Sequence, residues 1–196
     1  SVNGTTFKTT TGNEYFVPLA GKHHAKNSAY ALQLAKIYNI PIEKQLEGLR
    51  QLSHSGMRFE LQQGLNGAVI VNDSYNASPT SMKASIEVIK EVDGFNKKIL
   101  VLGDILELGE FADDMHRSIA ETIVSPITHL YTYGVKAELM TREVKEKEKE
   151  IRCEHFQSKE KLVNTLKNEL TQSTIVLFKA SRGLQFETMV VELFLG

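Results

Sequence analysis

Apolar residues in this chain fall into short unbroken runs, separated by longer stretches with helical spacing. Ala68-Val-Ile-Val71, Lys98-Ile-Leu-Val-Leu102, His129-Leu-Tyr-Thr-Tyr133 and Thr174-Ile-Val-Leu-Phe178 are the main runs. Each is strand length and lacks the strict alternation of a half-exposed strand, so each suits a strand covered on both faces. Amphipathic stretches between them predict helices at about 79–92, 113–124, 135–149 and 158–170, with a last helix at about 183–194. Cys153-Glu-His-Phe156 adds a short strand. Met57-Arg-Phe-Glu-Leu-Gln62 pairs with Ala68–Val71 across Gly64-Leu-Asn-Gly67, a hairpin signal. Strands alternating with helices predict one doubly wound α/β domain over 56–196.

Residues 1–55 are patterned differently. Thr5–Thr10 and Glu14–Val17 flank Thr11-Gly-Asn13 as a second hairpin. Helices follow at about 24–38 and 42–52, the first with Ala25, Ala29, Leu32, Ala35 and Ile37 as its apolar stripe. Asn39-Ile-Pro41 separates them, because proline disfavours helix in the residue before it. The block holds too little apolar material for a comfortable domain, and reads as the tail end of another.

Composition narrows the class. Of 196 residues, 41% are hydrophobic and 24% charged, an ordinary globular balance with enough apolar material for a core. The formal net charge of −1 gives no attraction to nucleic acid or anionic membrane. The single cysteine, Cys153, has no partner for an internal disulfide. No apolar run approaches the ~20 residues of a membrane span. The start, Ser1-Val-Asn-Gly4, has neither a secretory pattern nor an initiator methionine, which is consistent with a processed start or a piece of a longer chain. The Lys- and Glu-dense stretch 136–152 has mixed signs at i, i+4 spacing and reads as a solvated helix.

Five polar segments carry the candidate chemistry. Val71-Asn-Asp-Ser-Tyr-Asn-Ala-Ser-Pro79 leaves a strand and opens a helix, where α/β folds bind ligands. Asp73 there suits two adjacent ribose hydroxyls, Tyr75 offers a stacking face, and Asn76 offers donor and acceptor. Ser78 or Thr80 as N-cap, with Pro79 at the first helical position, explains the same residues structurally. Gly21-Lys-His-His-Ala-Lys-Asn-Ser28 fails as a phosphate loop, since Phe16 stands where the first Gly belongs and His23 where Ser or Thr should follow Lys22. It remains a polar turn entering a helix, with Asn27 in the first turn. His23 and His24 lack further ligands at metal-site spacing, so no metal site is expected. Arg58 suits a phosphate as a bidentate donor, or else a surface ion pair with Glu60. In Leu102-Gly-Asp-Ile-Leu-Glu-Leu-Gly109, Asp104 and Glu107 suit a cation or an amine, or else a helix start. His116 reads as a satisfied surface histidine. Phe178-Lys-Ala-Ser-Arg-Gly183 brings Lys179, Ser181 and Arg182 to a predicted helix N-terminus, where two cations oppose the macrodipole.

In this order, the five segments resemble the Mur ligase family. Its pattern is Gly-x-His-Asn-x-x-Asn, an Arg before a hairpin, Asn-Asp-Ser-Tyr-Asn-Ala-Asn-Pro, Leu-Gly-Asp-Met-x-Glu-Leu-Gly and Lys-Gly-Ser-Arg. Here these are Gly21–Asn27, Arg58, Asn72–Pro79, Leu102–Gly109 and Lys179–Arg182, with His24, Ser78, Ile105 and Ala180 as departures. The Asp-Ser-Tyr-Asn-Ala segment is most similar to members that join D-alanyl-D-alanine to UDP-N-acetylmuramoyl-tripeptide in peptidoglycan synthesis. The resemblance implies an ATP- and Mg²⁺-dependent amide ligase working through an acyl phosphate, monomeric and in the bacterial cytoplasm. It implies a Rossmann-like C-terminal domain over 56–196, preceded at 1–55 by the end of a P-loop-type ATPase domain. It places Asn27 near adenine, Asp73 on the ribose, Arg58 toward the phosphates, and Tyr75 and Asn76 along the nucleotide wall. Lys179, Ser181 and Arg182 would face the dipeptide or the peptide carboxylate, with Asp104 nearby. The family's phosphate loop, Mg²⁺ ligands and modified lysine precede the residues present here, so this chain alone is expected not to ligate. The alternatives are a stand-alone nucleotide- or peptide-binding module and a sibling Mur-type amino-acid ligase.

Overall fold

The computed structural model describes residues 4–10, 12–52 and 56–194. The chain divides into two compact units, 1–55 and 56–196.

In the first unit, β1 (Thr5–Lys8) and β2 (Glu14–Val17) form an antiparallel hairpin with Thr5 opposite Val17 and Lys8 opposite Glu14. Thr11, the first residue of the expected turn, lies outside the described residues. Helices α1 (Lys22–Ile37) and α2 (Ile42–Arg50) follow. Because α1 begins at Lys22, Asn27 sits in its second turn, not its first. Tyr15, Val17, Leu32 and Leu49 make the small core, with Phe7, Leu19 and Leu46 against it. Tyr30, Leu34, Ile37 and Tyr38 remain exposed, as the sparse apolar content of the block predicts.

The second unit is built on a six-stranded sheet in the order β3-β4-β8-β5-β6-β7. Its strands are β3 (Glu60–Gln63), β4 (Val69–Asn72), β5 (Lys97–Gly103), β6 (His129–Tyr133), β7 (Arg152–Phe156) and β8 (Thr174–Lys179). Only β3 is antiparallel, pairing Glu60 with Asn72. The remaining neighbours are parallel, with Val69 beside Ile175, Lys97 beside Thr174, Ile99 beside His129, and His129 beside Arg152. Every residue of β8 is buried, as a central strand without alternation requires.

Helices cover both faces. On one lie α3 (Pro79–Glu91), α4 (Ala112–Ala120) and α5 (Glu138–Lys147). On the other, α6 (Lys159–Glu169) and α7 (Glu187–Val191) close a core of Ile70, Ile99, Val101, Val176, Phe178 and Phe186 among others. The chain runs outward through β5, β6 and β7, then returns to insert β8 between β4 and β5. From β4 and β5 it leaves toward α3 and α4, but from β8 toward α7 on the opposite face. That reversal makes the carboxyl ends of β4, β8 and β5 the topological switch of a doubly wound sheet.

Several expected elements differ, among them the helix expected at 113–124, which ends at Ala120. The strand expected from Met57 starts only at Glu60, because Met57 and Phe59 take left-handed backbone angles, φ 60° and 50°. The expected helix at 135–149 begins at Glu138, after a turn held by Asp104. The last helix is not continuous: a 3₁₀ turn at Arg182–Leu184 ends at Gln185, φ 48°, and α7 restarts at Glu187.

Candidate functional site

The loop after β4 is fixed at both ends. Asp73 N–H donates to the Phe178 carbonyl at 2.9 Å, which continues the β4–β8 ladder by one residue. At its far end Ser78 caps α3: its Oγ accepts the Ser81 N–H, Ser81 Oγ accepts the Ser78 N–H, and Pro79 takes the first helical position. Ser78 therefore serves as the cap, and Tyr75 and Asn76 are left exposed between the two anchors.

The Asp73 carboxylate turns into a cluster of donors. Its Oδ1 accepts the Phe59 N–H at 3.1 Å, and its Oδ2 accepts Ser85 Oγ at 2.6 Å and Lys179 Nζ at 2.7 Å. Lys179 also donates to the carbonyls of Asp73 and Asn76. The lysine is almost wholly buried, so the expected cationic helix start becomes a buried ion pair at the end of β8.

Arg58 stands over the Tyr75 ring, 4.2 Å from its centre, a cation–π contact. The expected ion pair with Glu60 is absent among the described residues. Glu60 instead accepts the Met57 N–H and the Gln62 side-chain amide. Met57 O accepts the Tyr75 N–H, so the turn carrying Arg58 and the loop carrying Tyr75 are stitched together. Arg182 is exposed, paired with Glu187 at 2.8 Å and touching Met57 Sδ.

Asp104 serves a different turn from the one it precedes. Its two oxygens accept the N–H groups of Val135, Lys136 and Ala137, at 3.0, 2.9 and 2.7 Å. Gly134 permits this approach: it has φ 123°, and a Cβ there would lie 2.5 Å from Asp104 Oδ1. The carboxylate thus anchors the entry to α5, a helix-start role on a neighbouring helix. Glu107, by contrast, is exposed. Ser181 joins this loop to β8, donating its N–H to the Asp104 carbonyl and accepting the Leu106 N–H on Oγ.

The sequence misplaces one contributor and does not mark another. His116 is fully buried, not a surface residue; its Nε2 accepts the Ile105 N–H, and its Nδ1 lies 2.6 Å from the Ala112 carbonyl. The first contact makes Nδ1 the protonated nitrogen. Ser85 interrupts the apolar stripe Met82, Ile86, Ile89 of α3. A hydroxyl at a core position was the available signal.

A second depression, of about 440 Å³, opens at the carboxyl ends of β5, β6 and β7, with Asp104, Tyr133, His155, Gln157 and Leu184 in its walls. Thr132 Oγ1, itself bonded to Thr141, lies 2.9 Å from His155 Nδ1. Burial holds the His155 imidazole below its ordinary pKa, with Glu138 and Asp104 opposing. In the first unit, Asn27 lies on a groove of about 480 Å³ between α1 and α2, with His24, Leu32, Lys44 and Leu49. Among the described residues no group of three or more His, Cys, Asp or Glu is arranged to hold a metal, and no helix is long and apolar enough to cross a membrane.

A doubly wound sheet with its polar cluster at the switch point is an α/β domain that carries polar groups where such folds bind ligands. Comparison makes the class specific: the pattern of the "Mur ligase, glutamate ligase domain" matches residues 57–182, and the chain belongs to the Mur ligase family. The UDP-N-acetylmuramoyl-tripeptide–D-alanyl-D-alanine ligase of Bacillus subtilis is 39% identical over 184 residues, 92% of this chain and 40% of that protein. The ligase of the same name from Escherichia coli is 28% identical over 190 residues. Among solved structures, MurF from Acinetobacter baumannii superposes with a TM-score of 0.84 at 27% identity, covering 98% of this chain and 42% of that one. MurF ligase from Thermotoga maritima in complex with ADP does so with 0.79 at 26%, covering 97% and 42%. The chain spans about 40% of the length of the relatives it matches.

Proposed function

We propose that this chain is the C-terminal part of an ATP-dependent ligase that joins D-alanyl-D-alanine to UDP-N-acetylmuramoyl-tripeptide in the bacterial cytoplasm. The observation that carries the reading is the 184-residue similarity to the Bacillus subtilis ligase, which is too long to lie within either unit alone. On this reading residues 1–55 end the ATP-binding domain and 56–196 form the C-terminal ligase domain.

The site suits a nucleotide on one point of its own chemistry. Arg58 makes no hydrogen bond or ion pair among the described residues, and its ring contact with Tyr75 leaves the N–H edge available for phosphate. Asp73 is assigned to the ribose, Asn27 to the adenine, and Tyr75 and Asn76 to the nucleotide wall. Ser181 and Arg182 are assigned to the dipeptide or peptide carboxylate, with Asp104 shaping the loop beside them. ATP, when bound, supplies the phosphoryl group that activates the tripeptide carboxyl; the Mg²⁺ ligands are assigned to the preceding region. That the Thermotoga maritima ligase is in complex with ADP supports a nucleotide as ligand.

The test is a ligation assay on the full-length protein, with UDP-N-acetylmuramoyl-tripeptide, ATP and a panel of amino acids and dipeptides. Phosphate release and product should appear with D-alanyl-D-alanine and be at least tenfold slower with single amino acids, on the order of the discrimination a missing substrate group allows. Preference for a single amino acid would replace this reading with that of a sibling ligase.

A further inference from the structure

A buried ammonium is tolerated only when its charge is paired and its protons are taken. Lys179 meets both conditions within the second unit. Its side chain is 3% exposed, and Nζ donates to Asp73 Oδ2 at 2.7 Å, the Asn76 carbonyl at 3.2 Å and the Asp73 carbonyl at 3.4 Å. Three acceptors match three protons, so no donor is left for a ligand. The lysine that the family resemblance sets against the incoming dipeptide is spent on the loop assigned to the nucleotide.

The other contacts of Asp73 show what the pairing controls. Ser85 Oγ shares Oδ2 with the lysine, and the Phe59 N–H takes Oδ1. Phe59 adjoins Arg58, and the Arg58 guanidinium rests on Tyr75. One carboxylate therefore joins the end of β8, the first half of α3 and the turn bearing the arginine. Removing the ammonium would leave a partly buried carboxylate short of its counter-charge and free the Asn76 peptide.

We propose that Lys179 is a positioning residue for the nucleotide: it acts through Asp73 and the Asn76 peptide, and it does not bind the dipeptide. This rests on the nucleotide reading of the β4–α3 loop. A residue with this role moves nucleotide affinity and leaves the affinity for the amine substrate alone. A dipeptide ligand does the reverse, and a mere scaffold residue loosens both.

The experiment compares Lys179→Met with wild type in the full-length ligase, reading the ADP dissociation constant by calorimetry and the KM values for ATP and D-alanyl-D-alanine. Expected is a rise of roughly tenfold in the ADP constant and the ATP KM, the worth of one charge-assisted hydrogen bond, with the dipeptide KM within about twofold. A raised dipeptide KM with unchanged ADP binding overturns the proposal, as does an equal loss on both sides with a lowered melting temperature. If Lys179→Met does not fold, Ser85→Ala decides, since it removes a second donor from the same oxygen. A rise of about threefold in the ADP constant supports the proposal, and no change overturns it. Absence of ligation by wild type would sink the ligase assignment alone, because the ADP titration still reads the role of Lys179.

Discussion

Two histidines of the second unit are held below the ordinary imidazole pKa, and for both burial is the main cause. His129 lies beside Glu169, which opposes the shift, and Lys97 and Arg152, which reinforce it. For His155 the opposing charges are Glu138 and Asp104, and Arg142 reinforces. The folded chain therefore resists protons that the unfolded chain accepts at about pH 6.5. The stability these residues permit is complete above that pH and declines as pH falls below it toward the folded-state values. The melting temperature should drop between pH 7.5 and 5.5, and His129→Gln with His155→Gln should flatten that drop. An unchanged pH slope in the double variant would show that other groups carry it. At this scale the sequence marked Asp73, Arg58 and Lys179 as candidates. It hid their pairing, because Lys179 finds Asp73 across 106 positions of chain.

The elements of the switch region are set by caps and turns more than by helix propensity. Ser78→Ala removes one half of the reciprocal capping of α3 and should cost about 1 kcal/mol in denaturant unfolding. Asp104→Ala withdraws the acceptor from three backbone N–H groups at the entry to α5 and should cost about 3 kcal/mol or more. A smaller loss for Asp104→Ala than for Ser78→Ala would mean that solvent satisfies that turn. Strands were the most legible elements, since short apolar runs bounded by polar turns have few alternatives; β6 spans His129–Tyr133 as the run predicts. Left-handed non-glycine residues were the least legible. Met57, Phe59 and Gln185 carry no local signal for that conformation, and at Phe59 a distant acceptor, Asp73, holds the backbone. The burial of His116, expected at the surface, was hidden for a similar reason: its partners, Ile105 and Ala112, belong to the loop and helix start before it.

For the whole chain, the contrast between the two units sets what it can do alone. The second has helices on both faces of a six-stranded sheet, while the described residues of the first have a small buried core and several exposed aromatic and aliphatic side chains. If the phosphate contacts are supplied by the preceding region of a longer protein, the 196-residue chain should bind ADP more weakly than millimolar and should not ligate. Micromolar binding in a calorimetric titration would contradict that division of labour.

The turn after β6 has a further consequence for ligand traffic. Its three converging amides are what a phosphate or a carboxylate would seek, yet the protein has stoppered them with Asp104, the first residue after the neighbouring strand β5. A polyanion at the carboxyl edge of the sheet would find that berth taken by Asp104.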